Sequence, residues 1–593
     1  MDPILLEVLR NKFDAIADEM EITLLKSAYS SIVKEGLDAS AAIFDASGDT
    51  IAQATAIPIH LGALIFGVKR MLRAFPAAQM AQGDLYLLND PYDGGTHLPD
   101  LILVVPIVAD GRTVALACTM CHHQEIGGKT PGSVPTDATE IYQEGLIIPP
   151  CRLAREGRMD ESLLEIIRRN VRIPDIIIGD LMAQVAAGRL AGTRMGELFA
   201  RHGVTEVLKA VEELYARSEA MTRRHIAALP DGTYRFVDYM DNDGIDLDRR
   251  VRVEVAVTVR GSTLTFDFTG TSPQVRGPFN CVPSSTMAAV YYAVRAMTDP
   301  DIPNNAGCFR PVEAILPPGT LVNPKPPASV SGRTATVKRL ADAILGALVK
   351  ALPSRIPAAG CGTLLVMALG RRDPRTGRAF VASELGAGGM GARPEKDGID
   401  GVETDVSNCM NIPVEAVEME FPIRIGRCRL WGDSAGAGRW RGGLGLEKVF
   451  EATRAELTVS HRGERFSTAP WGLFGGRPAR NGNAFVLRRD GSREAVPSKQ
   501  VLTLGTGEGL HVFIAGGAGH GDPLERDAER VRADVLDRRV SIEAAGEDYG
   551  VVLEPGRLTV DGPATAALRA RKRAARGPVT WTYDRGPGLG REA

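Results

Sequence analysis

Residues 89–100 read Asn-Asp-Pro-Tyr-Asp-Gly-Gly-Thr-His-Leu-Pro-Asp, a run through which neither a helix nor a strand can pass. Asn-Asp-Pro and Gly-Gly impose a tight, exposed turn. The turn delivers His97 and Asp100, three residues apart, to its exit. Twenty-five residues after His97 come His122, His123, Gln124 and Glu125, at the end of an apolar strand spanning Val114 to His122, and the chain breaks again at Gly127-Gly128. Two adjacent strand ends would bring imidazoles and a carboxylate to one cleft. That is a donor set for Zn, Mn or Fe, and three protein donors leave positions open for water. Strand alternation puts Val114, Leu116, Cys118, Met120 and His122 on one face and His123 on the other. Only one of the two histidines can then point at His97, unless the strand ends before them. Asp38, just ahead of the next predicted strand, is a fourth candidate ligand or a cap at the strand entry.

Composition narrows the function classes. A net charge of -3 and 5% aromatic residues give no bulk attraction for nucleic acid or an anionic membrane and no base-stacking surface. No stretch approaches the ~18 apolar residues of a membrane span; the nearest, Ile57 to Val68, contains His60 and two glycines. The opening Met-Asp-Pro leads into an acidic amphipathic segment, so the cytoplasm is the expected compartment. The eight cysteines then read as reduced core residues.

The 593 residues suggest about three to four domains. Pattern changes divide them into a helical and mixed-sheet metal-binding part (1–228), a mixed β/α part (229–355), a β-rich, Gly-rich part (356–525) and a helical tail (526–593). The fold class expected is α+β, or mixed α/β, and multidomain. Helices are predicted from Pro3, over Leu61–Ala74, from Pro174 through Gly203 to about His225, over Thr286–Met297 and Thr336–Leu352, and in two C-terminal stretches, Asp527–Ala545 and Ala564–Arg576. The residues from Trp581 onward read as frayed.

Several motifs fail on context. Cys118-Thr-Met-Cys121-His122 matches haem attachment but lies within a strand of a chain without an export signal. Gly128-Lys129-Thr130 lacks the first glycine of a P-loop, since position 123 is histidine. The glycines from Gly386 to Gly391 open no long helix, and Ser434 in Gly432-Asp-Ser-Ala-Gly436 leads into more glycines rather than the helix a nucleophile elbow needs. The basic run Arg569–Arg576 reads as a solvated helix face.

With Asn89–Asp100 and His122–Gly128, the segments Thr139–Gly145, Ile302–Gly307, Pro413–Glu418 and Gly516–Arg526 together resemble the hydantoinase B/oxoprolinase family. That family includes the B-type subunits of N-methylhydantoinase, caprolactamase and the acetone and acetophenone carboxylases. The resemblance implies one catalytic metal, with ligands falling on Asp38, His97, Asp100 and His122; the donor set suits divalent Zn, Mn or Fe, and His123 or Glu125 is expected to orient a ligand or shuttle a proton. It also implies an A-type subunit that binds ATP, and symmetry makes an α2β2 or larger heteromer the expected assembly. The expected activity is ATP-dependent hydrolysis of a carbonyl-phosphorylated hydantoin or lactam by a metal-bound water. A ketone carboxylase subunit and a non-catalytic scaffold are the two other readings. Three positions depart from the family pattern: Gln124-Glu125 stand where Ala-Asp is common, His520 where Tyr is common, and Gly36-Leu37 where two arginines are common.

Overall fold

The structure, a computed structural model, describes residues 1–373 and 376–592. Helix α1 (Pro3–Ser27) opens the chain, with the Asp2 carboxylate accepting from the Ile4 N–H and Pro3 in the first turn. Its buried stripe of Leu6, Leu9, Phe13, Ile16, Met20 and Leu24 repeats at three and four residues. The stripe covers part of a seven-stranded sheet built from β1 (Ala39–Asp45), β2 (Thr50–Gln53), β3 (Leu85–Leu88), β4 (Asp100–Ala109), β5 (Arg112–His122), β6 (Cys151–Arg155) and β7 (Arg158–Met159). Their spatial order is β2-β1-β5-β4-β3-β6-β7, and every neighbouring pair is antiparallel.

Alternation along these strands gives the sheet two apolar faces. Ala39, Ala41, Leu101, Leu103, Ala117 and Cys121 join α1 in one core. On the other face, Phe44, Ile102, Val104, Leu116, Cys118 and Met120 pack against helix α2 (Pro58–Ala74). Helix α3 (Pro174–His202) covers the α1 side. The β4–β5 hairpin turns through Asp110-Gly111, with φ of 51° and 72°. Two consecutive positive φ values are the type I′ arrangement that suits the strand twist, and Asp-Gly tolerates it. A one-residue bulge then skips Val114 between the Val108–Thr113 and Ile107–Ala115 pairs, and the shifted register sets Asp100 opposite His122. Across β1 and β5, Ala39 faces Cys121, and the His122 N–H donates to the Asp38 carbonyl at 3.0 Å.

Beyond α2 the layers continue. Helix α4 (Pro283–Met297) packs on α2, helix α5 (Arg333–Leu348) on α4, and α5 in turn lies on a second sheet of β8 (Gly232–Met240), β9 (Val251–Arg260), β10 (Thr263–Asp267) and β11 (Val312–Ile315). After these come two antiparallel sheets that share one apolar core. One contains Leu365–Arg372 and Leu457–Arg462; the other contains Leu446–Ala452 and Gly509–Phe513. Buried ion pairs tie this sandwich to α5: Arg465 meets Asp342 at 2.6 Å, Arg339 meets Glu464 at 3.5 Å, and Lys499 pairs with Glu464. The molecule is mixed α/β and multidomain. Among the described residues no helix is long and apolar enough to cross a membrane.

The structure departs from the sequence expectations in three places. The long helix predicted from Pro174 to about His225 is two, because Gly203 at φ 80° ends α3 before Val204–Ala227 begins. The helix predicted over Asp527–Ala545 is likewise two, Ala528–Leu536 and Ile542–Glu547. The C-terminal residues are not all frayed: Tyr583–Asp584 pair with Gly472–Leu473 and with Arg591–Glu592.

Gly62 lets α2 and α4 approach closely, since a Cβ built there would lie 2.7 Å from the Ala288 Cα. Gly62→Val is expected to destabilise the chain by about 1–3 kcal/mol through overpacking, read as a lower urea midpoint with an unchanged slope.

Candidate metal centre

Because Asp100 faces His122 across β4 and β5, and Asp38 follows on at the same end of β1, the three residues stand side by side in neighbouring strands on the face that α2 covers. The glycine-broken turn ahead of β4 returns His97 to the same place. His97 Nε2 lies 2.9 Å from Asp100 Oδ1 and 3.1 Å from His122 Nδ1, and His122 Nδ1 lies 3.0 Å from Asp100 Oδ1. All three side chains are buried. Donors about 3 Å apart match the spacing of neighbouring ligands around a cation with bonds of about 2.1 Å.

Protonation supports the same conclusion. His97 Nδ1 is 3.2 Å from the Ser331 carbonyl, which can only accept, so Nδ1 carries the proton and Nε2 keeps a lone pair. Burial and the neighbouring Arg333 guanidinium push the His97 pKa down to about 3. Burial works against ionisation of Asp100, but His97, Arg333 and His60 outweigh it and hold that carboxyl well below its usual range. A neutral imidazole and an ionised carboxylate are the forms a metal requires. Lone pairs converging at these distances repel unless a proton or a cation sits among them. The residues therefore fit a divalent metal.

Three surrounding residues were not singled out in the sequence as site residues. His60, in the first turn of α2, places Nε2 3.5 Å from Asp38 Oδ1 and 3.6 Å from Asp100 Oδ1. Burial opposes its protonation, yet the Asp100 and Asp38 carboxylates raise its pKa. Arg333 at the start of α5 donates to Asp100 Oδ2, as does Thr96. Arg462, at the end of its strand, donates from Nη1 to the Ser331 carbonyl at 2.6 Å, beside His97 Nδ1. The only sequence signal for His60 was its interruption of an apolar run, while Arg333 and Arg462 lie more than two hundred residues along the chain from the triad.

Glu144 orders the loop that carries Ser331. Its Oε1 accepts from Ser329 Oγ and from the Val330 and Ser331 N–H groups, the latter two at 2.7 and 2.8 Å. Burial outweighs these hydrogen bonds and raises its pKa to about 7. A cavity of about 30 Å³ lies at the centre, with Asp38, His60, His97, His122, Arg333 and Arg462 in its walls. That volume holds roughly one or two water molecules.

His123 and Glu125 do not join this cluster. His123 Nε2 hydrogen-bonds Gln184 Oε1 of α3 at 3.0 Å, on the opposite face of the sheet, and burial lowers its pKa. Glu125 accepts from the Arg172 backbone N–H, and its Oε2 lies 2.6 Å from Arg172 Nη1. Ser434 is a turn residue, donating to the Trp431 carbonyl at 2.6 Å and accepting from the Gly445 N–H at 2.9 Å.

Two outcomes follow from this geometry. His97→Ala and His122→Ala are expected to lose bound divalent metal, while His123→Ala retains it, as measured by elemental analysis of the purified chain. The second concerns pH. A carboxyl raised from 4.5 to about 7 stabilises the fold below pH 4.5, and that contribution is lost as pH rises through 7. Glu144→Gln is therefore expected to flatten the fall in unfolding free energy over this window, by about 3 kcal/mol at most, in urea titrations at stepped pH.

A family model described as hydantoinase B/oxoprolinase matches residues 2–523. The chain is 36% identical over 574 residues to an uncharacterised protein of Methanocaldococcus jannaschii, spanning 96% of this chain and 100% of that one. It is 33% identical to the B-type subunit of a putative D-/L-hydantoinase from a Pseudomonas species, over 93% of this chain and 95% of that one. The crystal structure of the ATP-dependent caprolactamase from Pseudomonas jessenii superposes with a TM-score of 0.89 at 31% identity, covering 96% of this chain and 100% of that one. The polypeptide belongs to the hydantoinase B/oxoprolinase family.

Proposed function

We propose that this chain is the metal-holding subunit of an ATP-dependent amidase, and that it opens a hydantoin or lactam whose carbonyl oxygen has been phosphorylated by an ATP-binding partner subunit. The observation that carries the proposal is the buried triangle of His97 Nε2, Asp100 Oδ1 and His122 Nδ1, with His97 neutral and Asp100 ionised, the forms that bind a cation. The names of the hydantoinase relative and of the ATP-dependent caprolactamase supply the substrate class and the energy source.

The chemistry explains why both subunits are needed. An unstrained amide is a poor electrophile. Transfer of the γ-phosphoryl group of ATP to its oxygen, with release of ADP, draws electron density from the carbon. Water then adds to that carbon, the C–N bond breaks, and the ring nitrogen leaves with a proton, giving an acyl phosphate. A second water releases phosphate. A divalent cation held by His97, Asp100 and His122 would supply a Lewis acid and, for a zinc-like site, a water with its pKa lowered toward ~7.

The chain's own groups do the rest. Asp38 lies outside the triangle, with Oδ1 3.5 Å from His60 Nε2, and lines the same cavity, from which its carboxylate would complete the donor set. His60 Nε2, close to both carboxylates, is placed to carry a proton between the attacking water and the departing nitrogen. Arg333 and Thr96 fix the Asp100 carboxylate so that Oδ1 faces the triangle. His123, bonded to Gln184, and Glu125, bonded to Arg172, are positioning residues that hold the strand end and its following turn.

Co-purification with the ATP-binding partner, followed by assays on hydantoin, caprolactam and 5-oxoproline, tests the proposal. ADP and ring-opened product are expected in equal amounts, and His97→Ala is expected to reduce both to background. Absence of ATP-dependent ring opening across the panel overturns it, and bicarbonate-dependent carboxylation of a ketone would assign a different reaction.

A further inference from the structure

Buried arginines in this protein are normally matched by acids. Arg333 pairs with Asp100, Arg441 with Asp400, and Arg526 with Asp397. Arg462 is the exception. It is 3% exposed, its one hydrogen bond among the described residues is from Nη1 to the Ser331 carbonyl, and no carboxylate pairs with it. Burial and the nearby Arg333 charge lower its pKa to about 9, so it remains a cation at neutral pH. The Glu144 and Asp100 carboxylates offset this only in part, and a buried charge without an ion-pair partner destabilises a fold unless something else requires it.

Its position supplies the requirement. Arg462 lines the same cavity as His97 and His122, and it shares the Ser331 carbonyl with His97. Around that cavity the carboxylates of Asp38 and Asp100 are balanced by the guanidinium groups of Arg333 and Arg462. A divalent metal would make the walls of this buried site net positive, offset only in part by Glu144 behind the Ser331 loop. Such a site calls for an anion, and a guanidinium with free N–H groups accepts an oxyanion through its planar fork.

We propose that Arg462 is the receptor for an oxyanion of the substrate, and that the group it receives is the phosphoryl group carried on the activated amide oxygen. The inference rests on the amidase reading, because that reading places a phosphoryl group one bond from the oxygen of the attacked carbonyl. A substrate carboxylate has the same chemistry, but a simple lactam lacks one, whereas every activated substrate carries phosphate.

The test needs no turnover and so stands apart from the assay above. Calorimetric titration of the full-length, metal-loaded chain with inorganic phosphate and with acetate compares wild type with Arg462→Met and Arg462→Lys. Phosphate is expected to bind wild type more tightly than acetate does, and Arg462→Met is expected to weaken phosphate at least about tenfold, with Arg462→Lys intermediate. Metal content should be unchanged in both variants. The melting temperature of Arg462→Met without phosphate should equal or exceed that of wild type, since an unmatched charge has been removed; a merely structural arginine would give a lower one. Equal phosphate affinity in Arg462→Met and wild type overturns the proposal, as does tighter binding of acetate than of phosphate. Should Arg462→Met fail to fold, unweakened phosphate binding by Arg462→Lys overturns it alone.

Discussion

Three donor atoms held within about 3 Å of one another, in an interior that water barely reaches, need a shared proton or a cation among them. That constraint organises everything around the candidate centre. It explains why Asp100 is clamped by Arg333 and Thr96 on one oxygen and left open on the other. It also explains why His97 is fixed by a backbone carbonyl rather than by a side chain that titrates. The metal-binding forms of these groups are set before any ion arrives, which lowers the reorganisation needed for binding.

The Ser331 carbonyl is the joint of the structure. It receives His97 from the first sheet and Arg462 from the sandwich, and its own loop is held by Glu144. Buried ion pairs around Arg465 and Arg339 then fix the Arg462 segment to α5, whose first residue is Arg333. Three regions distant in sequence thus meet at one peptide group. A separate fold for each region would not make this site, and one apolar core does run from Leu6 to Tyr583.

Much of this was legible in the residues, and the rest failed for definite reasons. His97 and Asp100 were readable because one glycine-broken turn delivers both. Strand parity correctly separated His122 from His123, and the structure puts them on opposite faces, with His123 on Gln184. The placement of Asp38 beside His122 depends on the β1–β5 register, which a single sequence does not state. His60 sits on an apolar helix where a histidine more often reads as core. Arg333 and Arg462 were invisible, because their meaning comes from what they meet, or fail to meet, across the fold. The break at Gly203 was missed since helical spacing resumes immediately beyond it.

The Asp110-Gly111 turn has a reach well beyond its size. It lies ten residues from Asp100, roughly 30 Å along the strand, yet together with the bulge at Val114 it dictates which residue of β5 sits opposite which residue of β4. Were that bulge to close, continuous pairing from the turn would move β5 by a single position and rotate its side chains to the reverse side. Cys121 would then stand where His122 stands, and a thiol would replace the imidazole beside Asp100. The candidate coordination sphere is therefore indexed, like a vernier, by a two-residue turn and one skipped residue at the far end of the hairpin.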